Sequence, residues 1–249
     1  MKSAYKSVIG MCRKNNEDYI FAGNEKFSNL FIVADGMGGC NAGEIASSLA
    51  VQSFVYELSN NIDIFNNDEY LLDLLVSAVR KSNDIVHLKS WEINEFSGMG
   101  TTIDAVVIRN NKLLGIHIGD SRVYLFRDNK LMQITEDHSF VADLVKLGVI
   151  NEFEAEHHPN KNLITRALGT RYVIDVDTIK LDLLKNDIIL LCTDGLNTMI
   201  SDNEIKEVLT MNNSIYEKVD ILIDRANNAG GVDNISLILI ELNDEEVIE

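Results

Sequence analysis

Four aspartates stand where apolar runs stop. Phe31-Ile32-Val33-Ala34 ends in Asp35-Gly36, Leu190-Leu191-Cys192-Thr193 in Asp194-Gly195, and Ile116-His117-Ile118-Gly119 in Asp120; Gly231-Val232 leads into Asp233-Asn234 just before a further apolar run. A strand end is rigid and fixes a carboxylate well. A neighbouring glycine lets backbone or ligand come close, and its carbonyl can itself serve as a ligand. If such rims converge, their like charges raise one another's pKa and need a counter-charge. Hard divalent cations answer that need, because Mg²⁺ and Mn²⁺ prefer oxygen ligands and keep several waters. Two such ions about 3.5–4 Å apart can activate a water and stabilise an in-line phosphoryl displacement. Read alone, Asp-Gly is a common turn dipeptide, so at this point a turn and a site are both open. Arg13-Lys14-Asn15-Asn16-Glu17-Asp18 adds an arginine that can grip phosphate with a planar fork of donors, and two more carboxylates; alone, it reads equally as a solvated charged turn.

The elements that must position these groups follow from periodicity. Apolar runs bounded by Gly, Asn or Asp predict ten strands, near 7–9, 19–22, 30–34, 102–109, 112–118, 122–127, 131–134, 174–180, 188–192 and 235–241. Asn110-Asn111 and Asp128-Asn129 sit where tight hairpin turns need them. Ala42, Ile45, Ala46, Leu49, Ala50, Ser53 and Phe54 make one helical stripe with Asn41 as N-cap; Leu71, Leu72, Leu75, Ala78, Val79, Ser82 and Val86 make a second. Ser201 with Glu204 and Ser214 with Glu217 are capping boxes that open two further helices. Strands in the middle with helices before and after predict antiparallel sheets covered by helices.

The 249 residues are 46% hydrophobic and 24% charged, enough for a full core in one domain, with one proline and no linker-like tract. A net charge of −17 opposes binding to nucleic-acid phosphates or anionic lipid. Cys12, Cys40 and Cys192 are an odd set without C-x-x-C spacing, so disulfide scaffolding and structural zinc are disfavoured and a reducing compartment is expected. The start shows no signal peptide and no run is long enough to cross a bilayer, which reads as a cytoplasmic, free-standing protein.

In order along the chain, Arg13 with Asn16-Glu17-Asp18, Asp35-Gly36-Met37-Gly38-Gly39, Gly98-Met99-Gly100-Thr101-Thr102, Gly119-Asp120-Ser121-Arg122, Asp137-His138-Ser139, Asn162-Leu163-Ile164-Thr165-Arg166-Ala167-Leu168-Gly169, Asp194-Gly195 and Gly231-Val232-Asp233-Asn234-Ile235-Ser236 resemble the motifs of the type 2C (PPM) metal-dependent serine/threonine protein phosphatases in their compact bacterial form. The resemblance spans residues 7–242. It implies an α+β fold, a four-layer α-β-β-α sandwich of two antiparallel sheets flanked by helices, over residues 1–243, with a flap at 138–171 and a short acidic tail at 244–249. It implies two Mn²⁺ or Mg²⁺ ions, with Asp35 bridging them, Asp194 and Asp233 completing one site, and the Gly36 carbonyl and Glu17 serving the other. Asp18 supports them from outside, and Asp120 with Asp194 holds a weaker third ion. Arg13 binds the substrate phosphate, and a hydroxide bridging the metals attacks phosphorus without a phospho-enzyme. The implied partners are phosphorylated proteins, a Ser/Thr kinase and its targets, met by a monomer.

Two departures stand out. Met37 replaces the histidine that eukaryotic relatives place after Asp-Gly, so the acid that protonates the leaving group is unassigned. Thr198 stands where some members carry an acidic residue near the third metal. Within the flap, His138 is expected as a structural residue at its base, His157 and His158 as exposed, and the stretch 157–162 as a mobile lip for substrate. His117 is expected to be satisfied rather than a ligand, Cys192 buried and inert, and Thr101 and Thr102 supports beside the site. A catalytically silent, partner-binding relative would lose the metal carboxylates, yet Asp35, Asp194 and Asp233 are present. A haloacid-dehalogenase-type phosphatase would need an Asp-x-Asp nucleophile that Asp35-Gly36-Met37 does not offer.

Overall fold

The computed structural model describes residues 1–38 and 42–242. The expected N-cap Asn41, with Gly39 and Cys40, lies outside the described residues, as does the acidic tail. Two antiparallel sheets form the centre. One runs β1 (Lys2–Val8), β11 (Ile235–Glu241), β10 (Ile188–Cys192), β7 (Arg122–Arg127), β8 (Lys130–Gln133). The other runs β2 (Asp18–Ala22), β3 (Leu30–Met37), β5 (Ile103–Arg109), β6 (Lys112–Ile118), β9 (Asp177–Asp182), with the short β4 (Gly100–Thr101) on the end of β3.

Side-chain alternation explains the layering. On β3, Phe31 and Val33 enter the core between the sheets, beside Leu125, Leu191 and Ile238, while Leu30, Ile32 and Ala34 face helices. On β10, Ile189 and Leu191 point inward to the second sheet, and Leu190 and Cys192 point to the opposite layer. Strands covered on both faces read as unbroken apolar runs, which is why they were legible. Helices α1 (Ala42–Asn60) and α3 (Leu71–Glu92) cover the β3 sheet; α7 (Asp202–Thr210) and α8 (Ile215–Asn228) cover the other. The expected four layers are therefore present. The short α2 (Ile62–Phe65) links α1 to α3, and α6 (Asp194–Asn197) follows β10 directly.

The local signals hold where they are chemical. Asn110, Asn111, Asp128 and Asn129 all have positive φ, as two-residue hairpin turns require, and they close Arg109 against Lys112 and Arg127 against Lys130. Both serine capping boxes form, with Ser201 and Ser214 accepting from Glu204 and Glu217 N–H. A third, Asn151 with Glu154, opens α5 (Glu152–Glu156) with the same spacing, beyond the two expected. The α1 stripe is rotated from the expected one: Ser47 and Val51 are buried, whereas Ser53 is half-buried and turns its hydroxyl back to Leu49 O. On α3, Asn83 is buried beside Ser82, one position outside the expected stripe. Strand β1 begins earlier than expected, since an edge strand with one buried residue, Ala4, carries no apolar run. Strand β9 begins later than expected, at Asp177, and ends later, at Asp182; upstream of it Arg171 and Tyr172 give their carbonyls to Asn83.

Candidate active site

The expected carboxylates come from strands of both sheets and meet at one end of the sandwich. Asp18 and Asp35 are opposite each other in the β2–β3 ladder. The Asp35 N–H donates to Thr102 Oγ1 (2.9 Å), whose hydroxyl lies 2.7 Å from Ser121 Oγ, so the end of β3 is tied to the turn that carries Asp120. Thr101 Oγ1 donates to Asp35 O at 2.9 Å. Both threonines thus support the site, as expected.

The second sheet is tied to the first by Thr193 and Asn234. Thr193 Oγ1 donates to Asp18 Oδ2 (2.9 Å) and accepts from Ser236 N–H (3.0 Å). Asn234 Oδ1 accepts from Glu17 N–H (2.8 Å), and its amide donates to Ile9 O and Asn15 O, while its own N–H caps Asp233 Oδ1 (2.8 Å). One buried amide side chain therefore fixes the N-terminal loop against Asp233. In the sequence Asn234 stands only as part of a motif, with no expected role; its place between Asp233 and a strand start is the available signal.

Two glycines permit the approach. A Cβ on Gly36 would overlap Gly43 O and crowd Glu17 O, and one on Gly195 would overlap Asn234 O. Gly195→Ala is expected to destabilise the fold by roughly 2–3 kcal/mol through this backbone clash. A urea midpoint equal to that of the parent protein would contradict the close approach.

Arg13, half-exposed, donates through Nη2 to Asp233 Oδ2 at 2.6 Å. Burial opposes its charge, but Asp233, Glu17 and Asp35 together raise its pKa above the ordinary value. The carboxylates behave as a crowded group. Burial first, then Asp194 and Asp233, pushes Asp18 up to about 7 against the help of Ser236 and Thr193. Burial, then Asp194 and Asp137, pushes Asp120 to about 7. Asp194 rises to about 6 through burial and Asp233, with the Asp35 carboxyl close enough to hydrogen-bond it. Asp35 is raised well above 3.8 by burial and then by Asp18, Asp194, Asp120 and Asp233. Glu17 is raised mainly by burial, with Arg13 pulling it back.

Such a group fits hard cations. Asp18 Oδ1, Asp120 Oδ1 and Asp194 Oδ1 are buried without a hydrogen-bond donor, a costly arrangement for carboxylate oxygens unless a positive charge faces them. Among the described residues no three His, Cys, Asp or Glu side chains form a ready-made cage. Octahedral Mg²⁺ or Mn²⁺ does not need one, because much of its coordination is water.

The flap segment is pinned at both ends. Ser139 bridges Ile164, and Thr101 bridges Leu168. Between these lie α4 (Phe140–Lys146) and α5. His138 is buried at the base, as expected. His157 is exposed against Phe153, but His158 is only half-buried from solvent, with its ring near Phe140 and its Nδ1 accepting from Asn160 N–H; that contact corrects the expectation of free exposure. His117 is satisfied by Asp104 (2.6 Å) and Glu136 O (2.9 Å). Cys192 is fully buried and its thiol pKa is raised, chiefly by burial. Thr198 is exposed and donates to Asp194 O at 2.7 Å, so it braces Asp194 and offers no carboxylate.

The protein phosphatase 2C family model matches residues 13–229. Serine/threonine phosphatase stp of Listeria welshimeri is 36% identical over 245 residues, 98% of this chain and 96% of its own. Protein phosphatase PhpP of Streptococcus pneumoniae is 38% identical over 248 residues, 99% of each chain. The catalytic domain of the serine/threonine protein phosphatase PstP, solved in complex with two manganese ions, superposes with a TM-score of 0.86 at 36% identity, over 98% of each chain. The chain belongs to the protein phosphatase 2C family. It is a metal-dependent serine/threonine protein phosphatase of the bacterial PPM type.

Proposed function

We propose that this chain hydrolyses phosphoserine and phosphothreonine esters in proteins at the carboxylate cluster, with Asp35 shared between two cations, Asp194 and Asp233 on one, Glu17 and the Gly36 carbonyl on the other. Asp18 braces the cluster, and Asp120 with Asp194 holds a weaker third ion. The observation that carries this is the set of buried, donor-less oxygens on Asp18, Asp120 and Asp194 at the meeting point of the two sheets. Mn²⁺ or Mg²⁺ bound there supplies an acidified water for attack on phosphorus and offsets the phosphate's charge.

The remaining work falls to the chain. Arg13 releases Asp233 and takes the phosphate's outer oxygens with its fork of donors, so that charge is met as it redistributes. No side chain needs to become phosphorylated. Met37 has no proton to give, so residue 37 is not the acid for the departing oxygen. A silent binding module would have no use for carboxylates held at this cost, so catalysis is favoured.

The substrates in this reading are proteins modified by a Ser/Thr kinase, and the flap at 138–171 forms a lip beside the cleft of a single phosphatase domain spanning 1–243. The chain acts as a monomer in the cytoplasm in this reading; the free thiols of Cys12 and Cys192 suit a reducing compartment. With Mn²⁺ the purified protein is expected to hydrolyse para-nitrophenyl phosphate and a phosphothreonine peptide, and EDTA to leave below about 1% of the rate. Undiminished turnover in chelator sinks the proposal.

A further inference from the structure

Beside Arg13 lies an apolar surface to which the catalytic reading gives no task. Met11 and Val232 are left 69% and 50% exposed, and Ile9 is exposed with them. They come from two segments that meet at the cleft. Gly231 O accepts from Met11 N–H (2.7 Å) and Cys12 N–H (3.2 Å), and the Asn234 amide donates to Ile9 O (3.0 Å). Gly10, with a φ of +76°, permits this approach: a Cβ there would stand 2.1 Å from Asp233 O. A Cβ on Gly231 would stand 2.8 Å from Met11 Cγ, and one on Gly230 would stand 3.7 Å from Val232 Cγ1 and 3.9 Å from Met199 Sδ. Met11, Val232 and the partly buried Met199 therefore gather around the Gly230-Gly231 pair as one shelf.

Two features separate this shelf from scattered surface apolars. Its backbone is pinned, so Met11 is held out to solvent by paired main chain rather than by a loose loop. It is also continuous with the proposed phosphate grip: Arg13 lies two residues after Met11, and Asp233, which Arg13 holds at 2.6 Å, directly follows Val232. An exposed apolar surface at the edge of a polar site marks contact with a partner. None of Met11, Met199 and Val232 carries a charge, and methionine adapts to side chains of varied shape. An extended substrate chain advances about 3.3 Å per residue. With its phosphate on Arg13, the side chain next along that chain falls at the shelf.

We propose that Met11, Val232 and Met199 form a subsite for the residue flanking the phosphorylated one in a substrate protein, and that they favour an apolar side chain there. This rests on the reading of Arg13 as the grip on the phosphate. The phosphate fixes the substrate at Arg13, and the flanking side chain leaves water against the shelf.

The test compares two phosphothreonine peptides of equal length and charge, flanked on both sides by Leu or by Ser. The parent protein with Mn²⁺ is expected to show a kcat/KM about fivefold higher for the Leu-flanked peptide, roughly the effect of one methylene removed from water. Met11→Gln combined with Val232→Thr keeps the shape of the shelf and makes it polar; both positions are exposed. This double variant is expected to bring the ratio within about twofold while leaving the Ser-flanked peptide within about twofold of the parent rate. Arg13→Ala is expected to raise KM about tenfold for both peptides alike, which leaves their ratio unchanged. If the parent shows no preference, if the preference survives in the double variant, or if that variant slows both peptides equally, the subsite is overturned and the Arg13 reading stands. If Arg13→Ala leaves KM for the Ser-flanked peptide as in the parent, the phosphate is held elsewhere and the subsite falls with that reading.

Discussion

Asp194→Asn is expected to lower kcat on order of a thousandfold, about 4 kcal/mol of barrier, while leaving the metal-free protein at least as stable as the parent. Asparagine has the same shape. The main-chain brace survives, because Thr198 N–H and Thr198 Oγ1 both donate to the Asp194 carbonyl, not to its side chain. What is removed is a charge at the crowded centre: Asp194 is among the groups that raise Asp18, Asp35 and Asp120. Losing it relieves repulsion in the metal-free protein and deprives the cations of an anionic oxygen shared between proposed sites. A purely structural aspartate gives the opposite pattern, with stability and activity falling together. The measurement is steady-state turnover with Mn²⁺ beside thermal melting in EDTA. Near-normal turnover removes Asp194 from the ligand set; a large drop in the metal-free melting temperature makes its role structural.

Why some of this was legible, and some not, has a physical cause. The strands buried on both faces announce themselves as apolar runs, and the aspartates that end them point to a site by their repetition at four rims, since any one Asp-Gly pair reads equally as a turn. The hairpin turns and serine caps are written in residues whose local chemistry has few other uses. What sequence cannot carry is the partner across the fold. Asn234, Thr193 and Ser236 are ordinary polar residues until the two sheets bring Thr193 onto Asp18 and Asn234 onto Glu17. Asn83 was invisible for the same reason: its three bonds go to Gly169, Arg171 and Tyr172, more than eighty residues away. His138 was assigned to the base of the flap correctly, but its grip on Gly119 depends on a turn whose conformation no spacing announces.

The metal-free protein is also expected to lose stability as pH rises from about 5 to 7.5, and Mn²⁺ to restore more of it at pH 7.5 than at pH 5.5. The sign follows from the carboxyl groups. Asp18 and Asp120 are pushed to about 7 in the folded chain and Asp194 to about 6, against 3.8 unfolded. Between these values the native state holds protons that the unfolded chain has released, so stability falls as pH rises, and the penalty is complete above about 7. For Asp18, buried and moved from 3.8 to about 7, this corresponds to roughly 4 kcal/mol. Cations that take the ionised oxygens expel those protons, so their affinity and their stabilising effect grow with pH. Other groups also titrate: His117, raised by Asp104 against its burial, contributes stability that is lost as pH rises, whereas His138, lowered by burial, is penalised towards acid pH. Neither carries a proposed cation ligand, so both largely cancel when the same protein is compared with and without Mn²⁺ at each pH. The readout is therefore the difference of differences in melting temperature, with about 2–4 °C expected per kcal/mol for a chain of this size. A Mn²⁺ shift that is equal at both pH values, or larger at pH 5.5, would mean that the cluster is already ionised and paid for by something other than a cation.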